Sequence, residues 1–194
     1  MSTAPKRYIT PEEYLEMERT APFRSEYFEG QMYPMHLSRR PGDPVMADSA
    51  HDHLILGTNV LSELGDQLKS RNYLVVPEAK IQVGQETITP DVCVVHDEEH
   101  LNGRREQPVV IIEITSGATQ SEDYGWKFNL YRRIESLQEY ILVDSERVYA
   151  DVFQRCAKQD WLMGTHEGHD EEIFIAPLEC KLPFSRIYKG TNLE

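Results

Sequence analysis

Val109-Val110-Ile111-Ile112-Glu113-Ile114-Thr115-Ser116 is a continuous apolar run broken by a single acid. Four branched aliphatics in a row, with no polar alternation, predict a strand covered on both faces at the centre of a sheet. Glu113 interrupts that run, and an acidic side chain is expensive to bury there without a partner. The same eight residues therefore point to a buried strand and to a candidate site.

The candidate partner lies upstream. Tyr73 to Val76 is apolar, and Ala79, Ile81 and Val83 alternate with Glu78, Lys80 and Gln82 in the period-two pattern of a half-buried strand. After a turn at Gly84-Gln85-Glu86, Thr87 to Val95 forms a second strand, in which Pro90 predicts a bulge or an edge. If this strand runs antiparallel to the apolar one with Val95 facing Val109, facing residue numbers keep a constant sum and Asp91 faces Glu113. Directly opposed carboxylates destabilise a sheet unless one is protonated or a cation sits between them, and oxygen donors suit Mg2+ or Mn2+. The ordinary alternative is that Asp91 caps the turn after Pro90 and Glu113 ends its strand in solvent.

Downstream, Ser121 or Glu122 opens a helix through Ile134. Lys127 shares a stripe with Tyr124, Leu130, Tyr131 and Ile134 at three- and four-residue spacings, so its face points towards the sheet. A lysine there either snorkels to the edge or brings an ammonium to the carboxylates and a phosphate. Glu139 to Val143 is a further strand, Asp144-Ser145-Glu146 a turn, and Val148, Ala150 and Val152 mark the returning strand. The remainder, with Trp161, Phe174, Leu178 and Ile187, reads as short strands and loops that extend or flank the sheet.

At the N-terminal side, Thr10-Pro11-Glu12-Glu13 opens a short helix with Thr10 as N-cap and Glu13 as its capping-box partner. Arg24 to Phe28 and Gln31 to Met35, joined by Glu29-Gly30, predict a hairpin that carries Glu26. His36 to Asp48 contains Arg39-Arg40-Pro41-Gly42-Asp43-Pro44 and is expected to be a loop. From Ser49 to Lys69, Leu54, Leu61, Leu64 and Leu68 recur at helical spacing, with His51 and Asp52 in the first turn. The element order is helix, three strands, helix, strand.

A chain of 194 residues with 40% hydrophobic content fills one ordinary core, and no linker divides it, so residues 1–194 are expected to form one domain. Its longest apolar stretch, Val109 to Ile112, is far too short to span a membrane, and Met1-Ser2-Thr3-Ala4-Pro5-Lys6 lacks a secretory signal; a cytoplasmic protein without membrane association is expected. Cys93, Cys156 and Cys180 are odd in number and form no Cys-x-x-Cys pair, which argues against zinc-thiolate or redox work. The net charge of -13 means that any binding of nucleic acid must depend on local charge and metal.

Glu26-Tyr27-Phe28-Glu29-Gly30, His51, Pro90-Asp91-Val92, Glu113-Ile114-Thr115-Ser116, Asp123 four residues before Lys127, Tyr131, and Ser136-Leu137-Gln138-Glu139-Tyr140 form an ordered set. In that order they resemble the Uma-type restriction endonuclease family, a branch of the PD-(D/E)XK nuclease superfamily often described as a domain of unknown function. The resemblance covers most of the chain. It implies an α/β restriction-endonuclease-like core with an N-terminal hairpin and extra C-terminal strands. It also implies a metal-dependent endonuclease that hydrolyses DNA phosphodiester bonds, with Mg2+ or Mn2+ held by Asp91 and Glu113. Glu26 and His51 are implied as additional active-site members, and a homodimer is the family-level expectation. At Thr115 the sequence departs from the wider superfamily, where a lysine would stand two residues after the acid; the family moves that role to the helix, here Lys127. Ser116-Gly117-Ala118-Thr119 also departs, lacking a proline and a serine at its middle positions.

Two other readings compete. One is a catalytically inactive nucleic-acid-binding or protein-interaction domain of the same fold, favoured by the acidic charge and the altered loop after Ser116. The other rests on His96-Asp97-Glu98-Glu99-His100, which matches the His-x-x-Glu-His pattern of zinc peptidases, although the flanking Asn102-Gly103-Arg104-Arg105 leaves little room for the helix that chemistry needs. Arg39, Arg40, Arg104 and Arg105 are loop residues that could contact phosphates.

Overall fold

The apolar run forms strand β7 (Pro108–Thr115), every residue of which is buried. In the computed structural model, which describes residues 8–22, 24–35, 47–97, 107–117, 119–157 and 160–194, β7 is an inner strand of a six-stranded sheet. The sheet order is β10-β9-β8-β7-β6-β3, from β3 (Tyr73–Pro77), β6 (Val92–His96), β7, β8 (Glu139–Asp144), β9 (Tyr149–Arg155) and β10 (Trp161–Glu167). β7 and β8 are parallel and every other neighbouring pair is antiparallel.

Both faces of β7 are covered, as a run without polar alternation requires. On one face Val110, Ile112 and Ile114 pack with Leu56, Val60, Leu64 and Leu68 of α2 (Ala47–Leu68). On the other, Ile111 packs with Leu130 and Tyr131 of α3 (residues 120–131) and with Ile81, Val83 and Ile88 of a second sheet. That sheet has the order β2-β1-β5-β4, from β1 (Ser25–Phe28), β2 (Gln31–Pro34), β4 (Ile81–Val83) and β5 (Glu86–Ile88). Glu29 and Gly30, with φ of 47° and 72°, make the tight β1–β2 turn. Helix α1 (Pro11–Thr20) carries the expected capping box and lays Tyr14 on Tyr27. The hairpin β11 (Glu172–Ile175) and β12 (Cys180–Pro183), with the short helix α4 (Phe184–Ile187), joins the core on the α2 face.

Several local expectations are corrected. The two long strands 73–83 and 87–95 are each divided between the two sheets. The first breaks at Glu78, whose φ of 47° turns the chain, and the second at Thr89-Pro90-Asp91; Glu78 N–H donates to the Asp91 carbonyl (3.1 Å) where they cross. Val95 faces Pro108 rather than Val109, because a bulge between Val94 and Val95 shifts the register at that end. The α2 helix begins at Ala47, and Leu54 is 52% exposed, since the buried stripe runs through Leu56, Val60, Leu64 and Leu68. The helix carrying Lys127 stops at Tyr131, not Ile134, and its middle, Asp123–Lys127, is a π-helical turn. Arg39, Arg40, Arg104 and Arg105 lie outside the described residues, as do Glu98, Glu99 and His100; His96 ends β6 with its ring stacked on Tyr73 (4.7 Å).

Candidate active site

Where the two sheets, α2 and α3 meet, a cleft of about 480 Å³ is lined by Glu26, His53, Asp91, Glu113, Asp123 and Lys127, with Tyr33, Pro34 and Met35 forming one lip. Each polar residue arrives on a different structural feature. Glu26 is on β1 and His53 in the first turns of α2; Asp91 stands where the chain crosses between the sheets, and Glu113 near the end of β7. Asp123 and Lys127 are the two ends of the π-helical turn, which is kinked at Gly125, where the backbone leaves helical geometry (φ -96°, ψ -108°).

Asp91 and Glu113 do lie side by side. The register Val92↔Ile112, Cys93↔Ile111, Val94↔Val110 leads directly to them. The Asp91 N–H donates to Glu113 Oε2 (3.1 Å) and the Ile114 N–H donates to Asp91 Oδ2 (2.7 Å). Neither carboxylate faces solvent as a strand end: Glu113 is 3% exposed, and the Asp91 side chain, at 20%, is the more open of the two.

Lys127 Nζ is surrounded by carboxylates, 3.3 Å from Glu26 Oε2, 3.3 Å from Glu113 Oε1 and 3.4 Å from Asp123 Oδ1. The snorkelling alternative therefore fails, since the side chain is only 11% exposed. Tyr131 donates its hydroxyl to Glu113 Oε1 (2.7 Å), and the Thr89 N–H donates to Glu26 Oε1 (2.9 Å). Thr115, two residues after Glu113, is buried, with its hydroxyl 3.4 Å from that of Thr119.

The charges respond to one another. Burial opposes the Lys127 ammonium, but Glu113, Glu26 and Asp123 around it raise its pKa well above that of an ordinary lysine. Burial, only partly offset by Lys127 and reinforced by Asp91, Asp123 and Glu26, pushes Glu113 well above the usual carboxylate range. Burial also raises Glu26, against the pull of Lys127. Asp91 goes the other way: despite burial, His53, the Ile114 N–H and Lys127 hold it below the usual range. His53 Nε2 is 3.1 Å from Asp91 Oδ1, and this partner raises the imidazole pKa against the effect of burial.

His53 replaces His51 in the site. His51 is exposed and does not line the cleft. The sequence did contain the signal: His53, Leu56, Val60, Leu64 and Leu68 follow one another at three- and four-residue steps, so His53 continues the buried stripe while His51 falls on the opposite side of the helix. Glu26 joins the cluster, and Asp123 and Tyr131 complete it.

Four carboxylates face one lysine and one histidine here, a local excess of negative charge that a divalent cation would balance. Among the described residues no group of three or more His, Cys, Asp or Glu side chains forms a ready metal cage. Mg2+ is usually held through one or two carboxylates, with water and substrate phosphate completing its shell. Asp91 and Glu113 are the pair suited to it.

A family model described as "Uma2: Putative restriction endonuclease" matches residues 11–178. Two uncharacterized proteins of Synechocystis sp. are similar: one is 28% identical over 193 residues, covering 97% of this chain and 95% of its own. The other is 26% identical over 180 residues, covering 89% and 96%. Among solved structures, a "putative nuclease belonging to DUF820" from Anabaena variabilis superposes with a TM-score of 0.69 at 19% identity, covering 93% of this chain and 97% of that one. The restriction-endonuclease-like fold is thus shared. Among the described residues no helix is long and apolar enough to cross a membrane.

Proposed function

Since the chain belongs to the Uma2 family, we propose that it is a metal-dependent nuclease that hydrolyses DNA phosphodiester bonds with the cluster around Asp91 and Glu113. The observation that carries this reading is the junction of Asp91, Glu113 and Lys127 in one cleft, contributed by three separate elements. Asp91 and Glu113 would hold Mg2+ or Mn2+, which when bound supplies Lewis-acid polarisation of a phosphoryl oxygen and a water of lowered pKa.

The chain's own residues do the rest. His53 and the Ile114 N–H keep Asp91 ionised and ready to accept a cation. Tyr131 and the Asp91 N–H fix both oxygens of Glu113, so its position does not depend on the ion. Lys127 stays charged although its side chain is only 11% exposed, and an ammonium so shielded is worth more to developing phosphoryl charge than one in bulk solvent. Glu26 and Asp123 hold that ammonium on their side of the site.

The test is plasmid nicking at low salt with Mg2+ or Mn2+, comparing the unaltered protein with Asp91→Ala, Glu113→Ala and Lys127→Ala variants shown to be folded. Activity should fall by about two orders of magnitude or more in each, as is usual when a charge-stabilising group is removed. Cleavage that survives both carboxylate changes would refute the site. No cleavage of any nucleic acid by the unaltered protein would favour the inactive binding reading.

A further inference from the structure

A second recess, of about 380 Å³, opens on the other side of His53 and Asp91, which line both it and the first cleft. Its wall is Leu54, Gly57 and Leu61 of α2 with Pro77 at the end of β3. The pair His53–Asp91 is therefore a saddle between two hollows, each within the range that nucleotide-sized ligands occupy, about 300–1,000 Å³.

Both hollows have an apolar wall. In the first, Tyr33 is the cross-strand neighbour of Glu26, so its ring stands next to the cluster on the same face of the hairpin. The ring is backed by a column of aromatics, Trp126 at 5.2 Å and Phe28 a further 4.5 Å beyond. In the second, Leu54 is 52% exposed and lies off the buried stripe of α2. Gly57 sits in the interior of that helix, where glycine is unfavourable relative to alanine. A Cβ at Gly57 would meet no atom within 4 Å, so packing does not require the glycine.

We infer that the two recesses form one track for an unpaired nucleic-acid strand: a phosphate over Asp91, Glu113 and Lys127, one flanking base stacked on Tyr33, and the neighbouring nucleoside passing over Gly57. This rests on the nuclease reading and names its substrate class. An aromatic wall beside a phosphate site reads the face of a base, and that face is accessible only when the strand is unpaired. Charge favours the same assignment. Duplex binding draws on many neutralised phosphates. Among the described residues, the lysine and arginine that line the two recesses are already engaged: Lys127 is held among carboxylates and Arg24 pairs with Glu78.

Binding is measured on the full chain carrying Asp91→Asn to silence hydrolysis, using eight-nucleotide strands with 2-aminopurine next to the central phosphate, in DNA and RNA forms, and the same sequence as a duplex. The expected result is tighter binding of the single strand than of the duplex, with quenching of the probe. A Tyr33→Ala change should weaken it about tenfold while Tyr33→Phe retains it. Gly57→Leu, which the helix tolerates, should block it, whereas Gly65→Leu, on the same helix away from the recess, should not. Either sugar form supports the track, and the tighter one names the substrate. Equal or tighter duplex binding, or no loss in folded Tyr33→Ala and Gly57→Leu, would overturn it. Because binding is read without turnover, a protein that never cleaves but binds in this pattern would refute hydrolysis and leave the track standing. One that cleaves duplex with Tyr33→Ala unimpaired would do the reverse.

Discussion

Lys127 is a single cation among several acids. Its ammonium lies 3.3–3.4 Å from three carboxylates, yet burial, only partly offset by that lysine, holds Glu113 well above the ordinary carboxylate range. The sign of the consequence follows. An acid whose pKa is raised in the fold is protonated there at pH values where the unfolded chain is already ionised, so its contribution to stability falls as pH rises towards the folded pKa. A cation that binds the ionised form displaces that proton. Thermal melts with and without Mn2+ across a pH series should therefore show a metal-induced rise in Tm that grows with pH and levels off above the pKa of Glu113. Glu113→Gln should remove that growth; a shift independent of pH would count against Glu113 as a ligand. Glu113 was legible in the sequence because an acid inside an aliphatic run is expensive to bury alone, and Asp91 because the assumed register set it opposite. Glu26 came only through the resemblance. His51 came through the resemblance, and the helical repeat read through Leu54, Leu61, Leu64 and Leu68 includes the exposed Leu54, so it did not single out His53.

At the level of elements, the phase of α2 decides which side chains reach the site. Leu64 is fully buried and Gly65 beside it meets nothing, so neighbouring substitutions should act in opposite directions. Leu64→Ala should cost about 2–5 kcal/mol and Gly65→Ala should add up to about 1 kcal/mol, both read by denaturant unfolding. Losses at both positions would mean that the helix is rotated from this placement. The antiparallel pairing of β6 with β7 entered as an assumption that the ladder bears out, while the two strands themselves were readable from period and apolarity. Two features were not. The bulge at Val94/Val95 leaves no local mark, because Val is equally at home in a regular or a bulged ladder. The division of residues 73–83 and 87–95 between two sheets depends on a positive φ at Glu78, a residue type that gives little warning of it. That crossing is what brings Asp91 to the cleft, so the least legible local feature positions the most legible pair.

Over the whole molecule, a net charge of -13 sets the terms on which a nuclease of this kind can meet its substrate. Long-range attraction to phosphate is weak in such a protein, and the account assigns capture to the cation and to the apolar walls beside it. Binding of the single strand should therefore lose affinity with added salt only shallowly, with a slope of about one or two counterions rather than the six to ten of a phosphate-clamping protein. A steep slope would place the binding surface elsewhere. The charge itself was plain in the sequence; where it is concentrated was not, because Glu26, Asp91, Glu113 and Asp123 are scattered over almost a hundred positions and only the fold gathers them. Whether Asp91 and Glu113 hold a cation is read by a Mn2+ titration followed by electron paramagnetic resonance, with and without a hydrolysis-resistant phosphorothioate strand. A saturable site should tighten with the strand and be lost in folded Asp91→Ala and Glu113→Ala variants; Mn2+ binding that is the same in those variants as in the unaltered protein would rule out the pair as ligands.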